Sequence, residues 1–224
     1  MPPSDEWEST CQPGEEPSEA SSRRQASRGM SPLVYELFVL GELMEKPMYG
    51  YLLHAIARRI LGPWRPLSWG MLYPLIGCLE HEGLAISSTQ KRQGGFPRRK
   101  SGQPRRIYAL TPAGRERFLA LMLSSPEYSR DTPELFIIKL TKFQFLTPAQ
   151  RLRVLQWYRG YLDDLRTYYQ MARSDLLRNT EISAEERSWI VPSIDARLQP
   201  LQTELAWLES MIAACRQATD SERG

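Results

Sequence analysis

The sequence is poor in the residues that build metal sites and catalytic centres. It has three cysteines and two histidines among 224 residues. Cys11, Cys78 and Cys215 are widely spaced without a CxxC pair, so they predict no zinc ribbon and suit a reducing compartment. Cys78 and His81 share a helix face but lack a third, orienting group, so neither catalysis nor a metal or cofactor is expected. A redox-sensing role for Cys78 is left open.

Long hydrophobic runs are also missing. No stretch approaches ~18 consecutive apolar residues, so no membrane span is expected. The first residues are acidic and do not resemble a secretory leader, which predicts a cytoplasmic, nucleoid-associated protein. Residues 1–30 are rich in Ser, Glu, Pro and Arg and are expected to form a disordered tail. With 42% hydrophobic residues overall, the remainder can bury a core.

Acidic residues are absent from one stretch where basic residues are concentrated. Residues 91–106 contain no Asp or Glu, whereas seven residues there are basic: Lys91, Arg92, Arg98, Arg99, Lys100, Arg105 and Arg106. An ordinary solvated loop usually mixes both signs of charge. A basic loop interrupted by glycine and proline is typical of a segment that contacts phosphate.

Three short helical patterns precede this basic block. They cover residues 31–46, about 49–62 and 66–84, and each ends at a proline or glycine. Strand candidates lie on both sides of the block, at residues 84–89 and 106–110. Three helices followed by a two-stranded hairpin are the order of a winged helix-turn-helix, with the third helix in the recognition position.

The third helical pattern has an unusual second face. Its buried stripe is Leu72, Leu75, Ile76 and Leu79, with Ser68 as a plausible N-cap and Gly83 as a plausible C-terminal residue. The opposite face carries Gly70, Tyr73, Pro74, Gly77 and His81. Small residues allow close approach to a duplex groove or to another helix of the same chain, and the pattern alone leaves both open. We expect direct readout of bases by Ser68, Trp69 and Tyr73, together with a large share of readout through DNA shape. The predicted DNA contacts of this helix are Ser68, Trp69, Gly70, Tyr73, Pro74, Gly77 and His81.

Four motifs carry a resemblance to a known family. They are MYGYLL at residues 48–53, SWGMLYPL at 68–75, LEHEGL at 79–84 and RIYALTPAGR at 106–115. Over residues 30–120 the chain resembles the PadR family of bacterial transcriptional regulators. The resemblance implies a DNA-binding domain over residues 31–125. The wing, at about residues 87–110, departs from the family pattern because it is longer and more basic. The resemblance also implies a repressor that is released by a small molecule or another signal.

The C-terminal part, residues 131–218, is predicted to be a coiled-coil-like dimerisation domain. Residues 134–146 fit a buried helix or a strand, and the resemblance favours a helix. Two long helical patterns follow, and Pro192 and Pro200 predict a kink or a broken start in the second. The seams predicted to dimerise contain Leu152, Leu155, Leu162, Leu165, Tyr169, Leu198, Leu201, Leu205, Leu208 and Ile212. The alternative is a bundle within one chain.

The sequence therefore predicts a mainly α protein, with an N-terminal winged helix-turn-helix that has a two-stranded β wing and a C-terminal long-helix dimerisation domain. The expected partners are double-stranded operator DNA, a second copy of the chain and a small aromatic effector. Tryptophans that could stack such an effector, although they are more often core residues, are Trp64, Trp69, Trp157, Trp189 and Trp207. The alternatives are a coiled-coil adaptor for other proteins and a nonspecific architectural DNA-binding protein.

Overall fold

The computed structural model describes residues 31–62, 67–90 and 105–221. The chain divides into two compact units, residues 1–121 and 122–224. The elements of the first unit follow the predicted order, and one short strand is added to them. They are α1 (Pro32–Glu45), β1 (Met48–Tyr49), α2 (Gly50–Ile60), α3 (Trp69–His81), β2 (Ala85–Gln90), β3 (Arg105–Leu110) and α4 (Pro112–Leu123).

The sheet has three antiparallel strands, because the two predicted wing strands, β2 and β3, pair with each other and the unpredicted strand β1 is added to them. β3 lies in the middle and pairs with β2 on one side and β1 on the other. Met48 is opposite Tyr108 in the added strand. The sequence pattern placed Tyr49 at the start of the second helix, yet an extended approach from Pro47 lets the chain pair with the otherwise open edge of β3.

Helix α1 lies at the centre of the first unit. The helix is buried on most sides from Val34 to Leu43. It packs against α2, α3 and β3. A helix that is apolar nearly all round is the kind that a core can surround.

One hydroxyl group ties the end of α3 to the start of α4. Thr111 Oγ1 donates to the carbonyl of Gly83 at 2.7 Å and accepts from the backbone N–H of Gly114 at 3.0 Å. A Cβ atom at Gly114 would overlap the Leu84 carbonyl oxygen. The close approach of the two backbones therefore requires glycine at this position.

The second unit is helical throughout its described elements. These are α5 (Thr132–Leu140), a 3-10 turn (Phe143–Phe145), α6 (Pro148–Arg178) and α7 (Ala184–Ser221). The ambiguous segment, residues 134–146, is α-helical up to Leu140, as the resemblance favoured, and then continues as a turn and the 3-10 helix. α7 continues without a break through Pro192 and Pro200, so the predicted broken start is wrong. Each proline removes only its own N–H from the helix ladder, and the neighbouring turns can hold the helix together.

Helices α6 and α7 pack side by side as an antiparallel pair. Arg159 forms an ion pair with Glu209 at 2.7 Å, and Arg173 forms one with Asp195 at 2.7 Å. The residue numbers rise along one helix as they fall along the other, which fixes the antiparallel direction. Because the side chains of these ion pairs are substantially exposed, we expect little net stabilisation from them compared with the apolar seam.

A lysine is buried in the core of the second unit. Lys139 is 0% exposed. Its ammonium donates to the Ser124 carbonyl at 2.6 Å and lies 4.7 Å from the centre of the Trp157 ring. Burial lowers the pKa of Lys139 to about 8, because one carbonyl and one ring replace little of the lost hydration.

Replacing Lys139 by Met should change how stability depends on pH. The folded-state pKa of about 8 lies below the usual 10.5, so the unfolded chain binds the extra proton between these values. The free energy of unfolding of the native protein should therefore rise relative to that of Lys139→Met from pH 8 to pH 10.5, by on the order of 3 kcal/mol.

Urea unfolding at a series of pH values measures this difference. Lys46→Met, at an exposed lysine, is the control and should follow the native curve. Parallel curves for the native protein and Lys139→Met would contradict the lowered pKa of Lys139.

Candidate nucleic-acid interface

Helix α3 begins immediately after Ser68. The Ser68 backbone is extended, and its carbonyl accepts from the N–H groups of Met71 and Leu72 at 3.1 and 3.0 Å. The predicted N-cap position is confirmed, but the Ser68 hydroxyl makes no capping hydrogen bond. It is exposed at the front of the helix.

The end of α3 is closed by a Schellman motif at Gly83. Gly83 has a φ of +71°, which glycine adopts without the steric cost of a side chain. The Leu84 N–H donates to the Leu79 carbonyl at 2.8 Å, and the Gly83 N–H donates to the Glu80 carbonyl at 3.1 Å. These bonds satisfy the last carbonyls of the helix and turn the chain into β2, as predicted.

The two faces of α3 differ as the sequence indicated. Leu72, Ile76 and Leu79 are buried, whereas Gly70, Tyr73, Gly77 and His81 are exposed and Pro74 is half-buried. A Cβ atom built on Gly77 meets nothing within 4 Å, and one built on Gly70 meets only the Ser68 Oγ at 3.9 Å. Among the residues that the structure describes, no helix packs closely onto these glycines, so the intramolecular alternative is not supported.

The exposed face carries a row of stacked rings, His54, Trp69 and Tyr73, which we call the aromatic row. The His54 and Trp69 rings are 4.1 Å apart and inclined by 7°, and the Trp69 and Tyr73 rings are 5.6 Å apart and inclined by 21°. Trp69 is 42% exposed and Tyr73 is 52% exposed. The sequence had placed Trp69 and Tyr73 in the interface but had not paired His54 with them. The separation of fifteen residues between His54 and Trp69 across a turn offered no sequence signal.

The inner edge of Tyr73 rests on the start of α2. A Cβ atom at Gly50 would lie 3.5 Å from Tyr73 Cε1 and 3.6 Å from Tyr108 Cε2. Tyr108 is buried, and this burial, followed by the nearby charge of Glu80, raises the pKa of its phenol. Tyr108 therefore stays neutral at physiological pH and acts as packing beneath the exposed ring.

Exposed basic side chains lie on elements next to α3. Arg58 and Arg59 are exposed on the last turn of α2, and Arg106 is exposed on β3 opposite Thr89. The two arginines of α2 were not predicted from the sequence, although the inward positions of Leu53 and Ala57 already direct them outward. Exposed arginines beside a helix-turn-helix are suited to phosphate contacts.

Another basic group is already paired within the unit. Arg117 donates to both carboxylate oxygens of Glu36, at 2.7 and 3.1 Å. The hydrogen bond to Glu36 raises the pKa of Arg117. We therefore do not count Arg117 among the groups that can bind phosphate.

Several predicted positions lie outside the described residues. They are the tail at residues 1–30, Trp64, and most of the basic wing: Lys91, Arg92, Arg98, Arg99 and Lys100. Arg105 begins β3. The part played by the wing thus stays a prediction from the sequence.

The residues predicted to dimerise lie mostly inside the second unit. Leu155, Leu162, Leu198, Leu201, Leu205, Leu208 and Ile212 are buried within a single chain, and Leu152, Leu165 and Tyr169 are half-buried. The antiparallel packing of α6 on α7 therefore uses most of the two seams, as the alternative of an intramolecular bundle supposed. Large exposed apolar side chains remain on the outside of this pair, namely Tyr168, Met171, Leu177, Trp189 and Trp207.

A cavity of about 370 Å³ lies among α5, the start of α6 and the end of α7. Its walls are mainly apolar, and its polar groups are Arg151 and the thiol of Cys215. Arg151 Nε donates to the Phe143 carbonyl at 2.8 Å, which holds the guanidinium in place. Of the predicted tryptophans that the structure describes, Trp69, Trp157, Trp189 and Trp207, none lines this cavity. Trp157 is buried, with its indole N–H donating to the Pro126 carbonyl at 3.1 Å.

Cys78 and His81, which the sequence placed on one face of a helix, both lie on α3. Cys78 is half-buried on α3 and His81 is exposed. Within residues 31–62, 67–90 and 105–221, no group of three or more His, Cys, Asp or Glu side chains is placed to hold a metal ion. Among the described helices, none is long and apolar enough to cross a membrane.

The three helices, the antiparallel sheet and the outward-facing α3 define a winged helix-turn-helix protein. Residues 39–120 match the model of the Transcriptional regulator PadR-like family. The resemblance drawn from the four motifs is confirmed, and these residues form a PadR-like domain. The comparison with curated proteins found no match.

Solved structures of PadR proteins are among those similar to this chain. Bacillus subtilis PadR in complex with operator DNA is 18% identical, with 81% of this chain and 99% of that chain covered and a TM-score of 0.36. The same protein in complex with p-coumaric acid is 16% identical over 82% of this chain and 99% of that chain, with a TM-score of 0.34. A PadR family regulator from Clostridium difficile R20291 is 23% identical over 50% of this chain and 96% of that chain, with a TM-score of 0.32.

Proposed function

We propose that the chain is a sequence-specific transcriptional repressor that binds a palindromic operator as a homodimer, without enzymatic activity. The observation that carries this proposal is the open outer face of α3. A Cβ atom added to Gly77 would meet nothing within 4 Å, while Trp69 and Tyr73 are 42% and 52% exposed beside it. A helix whose inner face is buried and whose outer face carries small side chains can enter a major groove with its backbone close to the bases.

The predicted contacts divide into two kinds. Trp69 and Tyr73 can make apolar and hydrogen-bonding contacts with base edges, and the small residues around them favour readout of DNA shape. Arg58, Arg59 and Arg106, with the basic wing, would contact phosphates and position the protein without reading sequence. Affinity should therefore depend steeply on salt, whereas selectivity should depend on the rings of α3.

Replacing Tyr73 by Ala should weaken binding to the preferred duplex more than binding to a shuffled one. The purified protein first selects a duplex from a random library, and fluorescence anisotropy then compares that duplex with its shuffled form at several salt concentrations. We expect the native protein to prefer the selected duplex and Tyr73→Ala to lose about tenfold of that preference, as is typical when a side chain that reads a base is removed. Ile137→Ala, at an exposed apolar side chain of α5, is the control and should keep the full preference.

Neutralising the seven basic residues of the wing should act differently. Both duplexes should be bound more weakly by a similar factor, and the salt slope should fall by about 0.9 for each phosphate that the variant no longer neutralises.

Equal weakening on the two duplexes for Tyr73→Ala would refute its role in readout. Equal binding of both duplexes by the native protein would favour an architectural role, and no binding to either would favour an adaptor.

The homodimer is supported by apolar surface that one chain leaves uncovered. Trp189 is 77% exposed and Tyr168 is 65% exposed, and Met171 lies one turn along α6 from Tyr168. A long antiparallel helix pair buries a single seam, and large apolar side chains on its outside are typical of a surface that another helix pair covers. This surface differs from the seam residues that the sequence selected, because α6 and α7 use those for each other.

Placing charge on this surface should separate the two subunits. The native chain, of 25.8 kDa, should sediment as a dimer, and the double substitution Tyr168→Glu with Trp189→Glu should sediment as a monomer in analytical ultracentrifugation, since an interface cannot bury unpaired carboxylates cheaply. Tyr51→Glu, at an exposed tyrosine of α2, is the control and should remain dimeric. A native protein that is monomeric at tens of micromolar would contradict the homodimer.

Release from the operator by a small aromatic effector is supported by the cavity of about 370 Å³. Apolar walls with one cationic group suit an aromatic acid, whose ring would pack on the walls while its carboxylate pairs with Arg151. Such a ligand would release DNA only if it binds the free form of the protein more tightly than the DNA-bound form.

Filling the cavity should remove this response. A panel of aromatic acids that begins with p-coumaric acid is titrated into the complex of protein and selected duplex while anisotropy is followed. We expect at least one acid to release the native protein but not Ala214→Trp, whose indole occupies the cavity. Ala213→Trp, at the neighbouring exposed position, should still respond. If no acid of the panel releases the DNA, or if Ala214→Trp responds like the native protein, this part of the proposal is wrong.

A further inference from the structure

His54 is a ring that the proposed contacts with DNA do not yet use. It lies on α2, whereas Trp69 is the first residue of α3. The two rings are nearly parallel, at 7°, with their centres 4.1 Å apart. This is the closest and flattest of the three described ring contacts that involve α2 or α3.

An exposed tryptophan at a helix start has several rotamers open to it. Stacking against His54 covers one face of the Trp69 indole, and the Tyr73 ring, 5.6 Å away, continues the same row. A side chain that is held in its bound orientation before binding loses less conformational freedom on binding, so a fixed ring contributes more to selectivity than a mobile one.

We propose that His54 is a positioning residue for sequence readout, which holds the Trp69 indole in the orientation in which α3 meets the base edges. This inference rests on the proposed DNA-binding function. The occupant of the surface is the major groove of B-form DNA, where an indole can make apolar contact with a thymine methyl group. His54 acts through Trp69 and does not itself read a base.

The chemistry of residue 54 should matter through its flat ring. Leu53 and Ala57 face the core on either side of His54, so α2 directs the imidazole along its flank towards Trp69. A phenylalanine can stack in the same way, whereas an alanine cannot. His54→Phe is therefore the variant that should rescue readout, and His54→Ala is the one that should impair it.

The stack can be detected without DNA. The chain has two histidines, and the imidazole proton resonance that disappears in His54→Ala belongs to His54. In the native protein this resonance should be shifted upfield by the ring current of the indole, and it should move towards its free value in Trp69→Ala. An unshifted resonance would overturn the proposal.

The effect on readout is measured with the selected and shuffled duplexes. His54→Ala should lose about tenfold of the preference for the selected duplex, with an unchanged salt slope, and His54→Phe should recover most of it. If the native protein shows no preference, the proposed DNA-binding function fails, while the resonance experiment still tests the stack. If the native protein is selective and His54→Ala is equally so, the positioning role is overturned.

Two further outcomes would also overturn it. An equal weakening on both duplexes with a shallower salt slope would make His54 a phosphate contact. A failure of His54→Phe to restore the preference, with its thermal midpoint unchanged, would show that the imidazole nitrogens and not the stacked ring are needed. Because His54→Phe retains the ring, the proposal stays testable even if His54→Ala folds poorly.

Discussion

The outward face of α3 depends on how firmly its inward face is held. Leu72, Ile76 and Leu79 are buried against the first unit, and burial of each such side chain is worth roughly 1.5–3 kcal/mol. That anchoring allows the same helix to carry two glycines and a proline, residues that weaken an isolated helix. Pro74 has no N–H to donate to the carbonyl of Gly70 one turn earlier, so the exposed side is also the weaker side of the hydrogen-bond ladder. The stability of the helix is therefore supplied mainly from its buried side, and the other side stays exposed.

The position of α3 is set by close contacts with residues that are far from it in the sequence. Thr111 ties the last turn of α3 to α4 through the Gly83 carbonyl at 2.7 Å. Gly50 lies against the ring of Tyr73, and His54 stacks on Trp69. The start, the middle and the end of the recognition helix are thus each set by a different neighbouring element. A small displacement of any of these elements would move the exposed rings.

The second unit differs from the first, because its two long helices bury their apolar stripes against each other. Leu155, Leu208 and Ile212 are almost fully buried within the chain, and Lys139 is enclosed with one carbonyl as its hydrogen-bond partner. The seam that looked free for a partner subunit is largely occupied. What remains exposed is a smaller set of aromatic and aliphatic side chains, and these form the surface proposed above for a second chain.

The sequence by itself determined the order of the helices, the two faces of α3, the glycine turn at its end and the resemblance to the PadR family, because these depend on local periodicity and on turn residues with limited backbone freedom. It did not determine the third strand, since β1 exists only because β3 offers it an edge. It could not decide whether the α6 and α7 seams face each other or a second chain, because an apolar stripe specifies burial and not the partner that buries it. The pairing of His54 with Trp69 and the burial of Lys139 were likewise decided by tertiary structure alone, since each joins elements whose approach is set by the packing of the whole unit and leaves no pattern along the chain.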